Sequence, residues 1–255
     1  MRFGIPPAPP VEDVPPAPPP RPVARRRGVA LRLFRPLRRL GRPLRWFALR
    51  VLALMAGLVV LYWMVNPPTT WTIMREAGPG ARQWVRMDDI APVVARSVVA
   101  AEDANFCNHW GFDMTEIRRV IASGSNRGAS TITQQTAKNV YLWQGRSWAR
   151  KLLETVYTPM IEAVWSKRRI LEAYLNVAEF GPGIFGIDAA ARELFGTTPD
   201  RLSARQAAAL AAVLPAPKTR RPEPGSRRAR AIADGAATIQ ADGRAACFQR
   251  EQPAG

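Results

Sequence analysis

Histidine, cysteine and acidic side chains are all scarce in this chain. Its 255 residues include one histidine, His109, two cysteines, Cys107 and Cys247, and 20 aspartates and glutamates against 37 lysines and arginines. A lone histidine with scattered carboxylates offers no metal-ligand spacing, so no metal site is indicated. Taken alone, His109 reads as a hydrogen-bonded structural residue rather than a base. The cysteines lie far apart and are expected to be separate thiols, although an oxidising compartment would permit a bridge. No convincing strand pattern and no internal repeat is present. What remains is ample for a core: 47% of residues are hydrophobic, which excludes a wholly disordered chain.

The shortage of acid leaves a formal charge of +17, which points to nucleic acid, an anionic membrane face or phosphate-bearing substrates. The charge is unevenly spread. Residues 1–65 hold twelve arginines against Glu12 and Asp13, a net of +10, leaving +7 for the other 190 residues. From Trp46 to Val65 the only charge is Arg50, and twenty residues at 1.5 Å each span about 30 Å, the thickness of a hydrocarbon core. Aromatic pairs Trp46-Phe47 and Tyr62-Trp63 mark the two ends, and Arg50 is close enough to one end to snorkel. These features predict a transmembrane helix over residues 46–66. A buried core helix fits the arginine-rich and Asn66-Pro67-Pro68 flanks less well, and a cleaved leader would need a small-residue cleavage pattern that does not follow. With the arginines of residues 21–45 before it, the positive-inside rule puts the N-terminus in the cytoplasm and everything after Asn66 on the outer side.

Residues 1–22 hold ten prolines and few bulky apolar groups, so residues 1–45 are expected to be a disordered tail. Its arginines serve as a topology signal or dock on anionic lipid. Past the anchor, capping signals delimit a series of helices. Asp88-Asp89 precede one that carries Ile90, Val93, Val94, Val98 and Val99, tolerates Pro92 in its first turn and runs into Glu102. Asp113 with Glu116 opens a second, which ends near Gly124. Further helices are expected over Ile132–Tyr141, Ser147–Trp165 with a kink or boundary at Pro159, and from Ser166 through Asn176. Ile187–Phe195 and an alanine-rich segment after the Ser203/Gln206 capping box complete the set. The domain over residues 67–220 therefore reads as all-α, followed by a basic, weakly helical segment over 221–255.

The stretch from Ala101 to Gln135 groups more polar side chains between helical segments than a core would tolerate without partners. Glu102 and Asp103 sit at a helix C-terminus, where the macrodipole and their mutual repulsion raise proton affinity, as suits a general base. Downstream, Lys138, Arg146, Arg150 and Lys151 fall within fourteen residues. Converging on one cleft they would hold a pyrophosphate; dispersed, they are a solvated helix face, and spacing alone leaves both open.

Four sets of residues occur in order: Glu102-Asp103-x-x-Phe106-x-x-His109-x-Gly111-x-Asp113; Gly128-Ala129-Ser130-Thr131-Ile132-Thr133-Gln134-Gln135; Arg150-Lys151-x-x-Glu154; and Lys167-x-x-Ile170-Leu171-Glu172-x-Tyr174-Leu175-Asn176. Together they resemble the motifs of the peptidoglycan glycosyltransferases, family 51, over about Ala91 to Pro217. The monofunctional biosynthetic transglycosylases are the nearest pattern, since a single anchor precedes the domain and no room is left for a transpeptidase domain. Ala178-Glu179-Phe180-Gly181 and Gly186-Ile187 add to the match. Ala129 departs from it, standing where many members have glycine.

The resemblance implies a lysozyme-like α-helical domain that polymerises lipid II into glycan strands by inverting transfer, with release of lipid pyrophosphate. By position, Glu102 would be the base acting on the acceptor's 4-hydroxyl. Lys138, Arg146 and Lys151 would stabilise the leaving pyrophosphate, with Arg150 nearby. Glu154 would be the second carboxylate, at the donor site, which Ser130, Gln134 and Gln135 would line. Phe106 and Asp113 would be supports, and the Gly111–Gly128 region is expected to include a mobile flap. The expected partners are lipid II, the lipid-linked glycan chain, the membrane and cell-wall assembly proteins, with no nucleic acid. The expected location is the cytoplasmic (inner) membrane, single-pass, with the catalytic domain on the periplasmic side. No cofactor is required by the sequence, though a divalent cation would suit the diphosphate. The rivals are an anchored lytic muramidase that uses Glu102 as a general acid, and a non-catalytic scaffold.

Overall fold

A computed structural model of the chain describes residues 30–77, 83–124, 128–145 and 147–249, with residues 30–41 described by backbone alone. The chain divides into two compact units, residues 1–50 and 51–255. Of the expected tail, residues 1–29 lie outside the described part, and the backbone is already helical from Ala30. Helix α1 spans Ala30–Met64. Within it, Arg42–Met64 is long and apolar enough to cross a membrane, at 23 residues or about 34 Å.

In the second unit the last turns of α1 are held by the helical domain. Val59 is fully buried, and its carbonyl accepts from Trp165 Nε1 at 2.9 Å. Arg169 donates to the Tyr62 carbonyl and to Asn66 Oδ1, each at 2.8 Å, while its guanidinium lies over the rings of Trp84 and Trp165.

The helices follow the capping chemistry of the sequence. α2 (Trp71–Glu76) is capped by Thr70. α3 (Pro92–Glu102) opens on proline, whose missing N–H is not needed in a first turn. α4 (Met114–Ser123) starts where Asp113 accepts from the Thr115 and Glu116 amides and stops at Gly124 in the left-handed region. α5 (Ile132–Tyr141) begins in a Thr131/Gln134 capping box, and α6 (Trp148–Val164) continues through Pro159 from its Ser147 cap, so that proline shifts no boundary. α7 (Lys167–Val177), α8 (Ile187–Phe195), α9 (Ala204–Val213) and α10 (Arg227–Ala241) follow.

One hairpin interrupts the helices. β1 (Glu179–Gly181) pairs antiparallel with β2 (Ile184–Phe185), a correction to the reading without strands. At three and two residues these strands are too short to show a period.

The core has two parts. α5 packs between α6 and α7, while α9 and α10 pack against α3 and against each other. α9 buries Ala207 through Val213 without a break, since small side chains let three helices approach closely. α7 buries seven of its 11 residues. Its Asn176 both donates to and accepts from the Val85 backbone, at 2.8 Å in each direction, and its Glu172 accepts from the Met87 amide at 2.8 Å. Two motif residues thus hold the segment leading into the domain.

Cys107 and Cys247 are joined in a disulfide, which corrects the expectation of separate thiols. It closes a loop of 140 residues, a constraint worth up to about 5 kcal/mol by the chain-entropy argument.

Replacing Asn176 by alanine should orphan both Val85 groups. The expected cost is roughly 3 kcal/mol in chemical denaturation, and a loss within experimental error would contradict the role assigned to this side chain.

Candidate active site

Glu102 is the last residue of α3. Its neighbour Asp103 leaves the helix and points elsewhere: Oδ1 meets His109 Nε2 at 2.8 Å, and Oδ2 accepts from the Ile132 amide at 3.0 Å, at the start of α5. A carboxylate at a helix N-terminus is favourably placed, so Asp103 locks α3 to α5. Thr131 adds to this junction by donating to the Gly111 carbonyl at 2.6 Å. Gly111 has φ +83, and a Cβ there would lie 2.5 Å from Thr158 Cγ2, so this glycine is required by close packing on α6. Lys167 also braces the turn. Its Nζ donates to the His109 carbonyl at 2.7 Å, pairs with Glu162 at 2.8 Å and sits over the Phe106 ring.

With Asp103 occupied, Glu102 faces α5. Its Oε2 accepts from Gln135 Nε2 at 2.9 Å, while Oε1 is out of solvent and has no hydrogen-bond partner among the described residues. Gln135 is oriented by Tyr174, whose hydroxyl donates to Gln135 Oε1 at 3.2 Å. Burial raises the proton affinity of Glu102, Asp103 adds to it, and the Gln135 bond and the charges of Arg228 and Lys138 partly oppose it. The tuning therefore comes chiefly from desolvation, with repulsion by Asp103 a lesser contribution than the sequence suggested.

Lys138 lies one turn beyond Gln135 on α5, close enough to Glu102 and Glu154 for their charges to act on it. Burial lowers its pKa and the two carboxylates oppose that shift. Glu154 is buried in α6, bonded to Lys151 and to Arg150 Nη1, the latter at 2.6 Å. Arg150 also donates to the Gly145 carbonyl at 2.9 Å, and Lys151 reaches Ser130 Oγ at 3.4 Å. The structure thus brings Glu102, Gln135, Lys138, Glu154, Arg150, Lys151 and Ser130 into one region. Arg146 lies outside the described residues. Gln134 is not turned to this region: its Oε1 accepts from the Thr131 amide at 3.1 Å, so it caps α5. Among the described residues no group of three metal-ligating side chains occurs.

A groove of about 400 Å³ borders the region, lined by Gln135, Lys138, Tyr174, Glu179 and Lys218 among others. Burial pushes the Glu179 carboxyl above the ordinary range.

The family model described as "Transglycosylase" matches residues 71–239, which takes in every element of this region. The chain belongs to the transglycosylase family. A biosynthetic peptidoglycan transglycosylase of Jannaschia sp. (strain CCS1) is 60% identical over 205 residues, covering 77% of this chain and 85% of the relative. Proteins of the same name from Pseudomonas entomophila (strain L48) and Yersinia pestis (strain Pestoides F) are each 48% identical. They cover 71% and 64% of this chain, and 80% and 73% of their own lengths.

Two charged residues of this transglycosylase escaped the sequence reading. Arg228 acts on Glu102 from α10, with its Nε donating to the Ala212 carbonyl at 3.2 Å. In the sequence it is one of several arginines in a basic segment, and only the packing of α10 singles it out. Glu179 stood in a quoted motif but carried no chemical signal until the groove was formed.

The raised proton affinity of Glu102 has a consequence for stability. Protonation favours the folded state, and that contribution is full below the ordinary value of 4.5 and is lost as pH rises through the folded-state pKa. Glu102→Gln, which stays neutral, should therefore match the wild type in thermal unfolding near about pH 4 and exceed it near about pH 7. A variant less stable than the wild type at neutral pH would contradict the assignment of a desolvated carboxylate.

Proposed function

We propose that this chain polymerises lipid II into the glycan strands of peptidoglycan by inverting glycosyl transfer, with Glu102 as the general base. The observation that carries the reading is the desolvated Glu102 carboxylate, one oxygen held by Gln135 and the other unpartnered, beside Lys138 and the Glu154–Arg150–Lys151 cluster. In this reading the Glu102 carboxylate takes the proton of the acceptor sugar's 4-hydroxyl as that oxygen attacks the anomeric carbon of the lipid-linked chain. The bond from the anomeric carbon to phosphate breaks, and lipid pyrophosphate leaves with the electron pair. Lys138 and Lys151, with Arg146 and Arg150, stabilise the charge that develops on the diphosphate, which is usually a large catalytic contribution. Glu154 keeps Arg150 and Lys151 in place, and Ser130 and Gln135 line the donor side. No protein nucleophile and no cofactor enters the step; a divalent cation on the diphosphate is compatible with it.

A membrane-borne substrate explains the rest of the chain. The apolar helix over Arg42–Met64 and the arginines before it support a single-pass protein of the cytoplasmic membrane, with its helical domain on the periplasmic side. The disulfide supports the same side, because such bonds persist in oxidising compartments. Trp148 and Leu152 flank Lys151 on α6 and are 91% and 66% exposed, an apolar surface beside the cations that suits a lipid-linked diphosphate. α4 has no buried residue, so it is loosely held and suits a flap over the acceptor.

Incubation of the full-length protein with purified lipid II, side by side with Glu102→Gln, tests this reading. Polymer is expected from the wild type, with at least about a hundredfold loss in the variant. Undiminished polymerisation by the variant, or shortening of preformed glycan without polymer, would overturn it.

A further inference from the structure

The segment after α9 is built against the helix that presents Glu102. Gly235 of α10 approaches α3 so closely that a Cβ there would lie 3.2 Å from the Cβ of Ala100, two residues before Glu102. Beyond α10, Arg244 Nη1 donates to the Ala104 carbonyl at 3.0 Å, just past the end of α3. Gln249 reaches the other end, donating to the Pro92 carbonyl at 2.6 Å and accepting from Arg96 at 3.0 Å. Phe248 is fully buried, its ring 6.3 Å from that of Phe106. Between these contacts Cys247 is bonded to Cys107, with Cα atoms 5.7 Å apart and five residues beyond Glu102.

We propose that the Cys107–Cys247 disulfide positions the Glu102 carboxylate for transfer, by fastening the C-terminal segment across both ends of α3, so that full turnover requires the bond to have formed. This rests on the reading of Glu102 as the base. Beyond α10 the segment is held by the buried side chains of Ala245 and Phe248, by Arg168 donating to the Phe248 carbonyl at 3.0 Å, and by hydrogen bonds to partly exposed groups, each of which contributes little. The covalent link keeps Phe248 seated under Phe106, and Phe106 belongs to the same turn as Asp103, which fixes where α3 ends relative to α5. Displacement of a reacting group by about 1 Å lowers a rate by up to about a hundredfold. Bond formation removes two protons and two electrons from the two thiols. The acceptor is a disulfide-bearing oxidant, which is reduced to its dithiol.

The test compares three forms of the full-length protein in the lipid II assay, well below the unfolding temperature of the least stable form: wild type, wild type reduced with dithiothreitol, and Cys107→Ser/Cys247→Ser. Helix content is checked by circular dichroism. Reduction should lower kcat by about tenfold to a hundredfold with KM within about twofold. The double variant should match the reduced wild type and ignore dithiothreitol, and reoxidation with oxidised glutathione should restore the wild type alone. Undiminished kcat in the reduced, folded protein, or a change confined to KM, would overturn the proposal. The Glu102→Gln control separates the two readings. If it is inactive while the reduced wild type is fully active, the positioning role alone falls; if it retains turnover, the base and its positioning fall together.

Discussion

A carboxylate withdrawn from water at the end of α3 is the constraint around which this domain is arranged. Ionised, buried and with one oxygen unpartnered among the described residues, Glu102 costs the fold free energy, so neighbouring elements must hold it there. Asp103 supplies the hold: by binding His109 and the first amide of α5 it fixes the turn immediately after Glu102 and leaves Glu102 free to face Gln135. Tyr174 then fixes Gln135. Three elements, α3, α5 and α7, thereby converge on one carboxylate.

The cations are organised by the same economy. Glu154 is buried and would be costly unpaired; with Arg150 and Lys151 bound to it, the cluster keeps a net charge of +1, with Glu154 and Arg150 withdrawn from solvent and Lys151 partly exposed. Among the described residues Lys138 has no such dedicated partner, and it lies within reach of the charge of both carboxylates, Glu102 and Glu154. A negative group arriving there meets a cation whose desolvation has already been met by folding. The excess arginines of residues 1–65 are a separate population in the sequence, eleven of the twelve preceding the apolar run that starts at Trp46.

Much of this was legible in the sequence because helix termini are local. Asp113, Ser166 and Ser203 each cap the helix predicted from them, and the period of the apolar residues identified the elements between. What was not legible depends on distance along the chain. The hairpin at Glu179–Phe185 is too short to carry a period, and the disulfide joins residues 140 apart. Gln134 was expected to line the donor site, whereas its side-chain oxygen caps α5; one amide side chain serves equally as a cap or as a ligand contact, and only the Thr131 geometry shows the cap. The proton affinity of Glu102 was expected to be raised, but by the helix dipole and Asp103; burial, which a sequence does not display, is the greater cause.

The central claim concerns the protonation of one side chain, and it is measured most directly by carboxyl titration. In protein carrying 13C-labelled glutamate carboxyls, the signal absent from Glu102→Gln identifies Glu102. The account predicts a midpoint above the ordinary 4.5, in the absence of substrate. A midpoint at or below that value would contradict it, since the carboxylate would then be a solvated or well-paired anion and not the desolvated base on which the site is built.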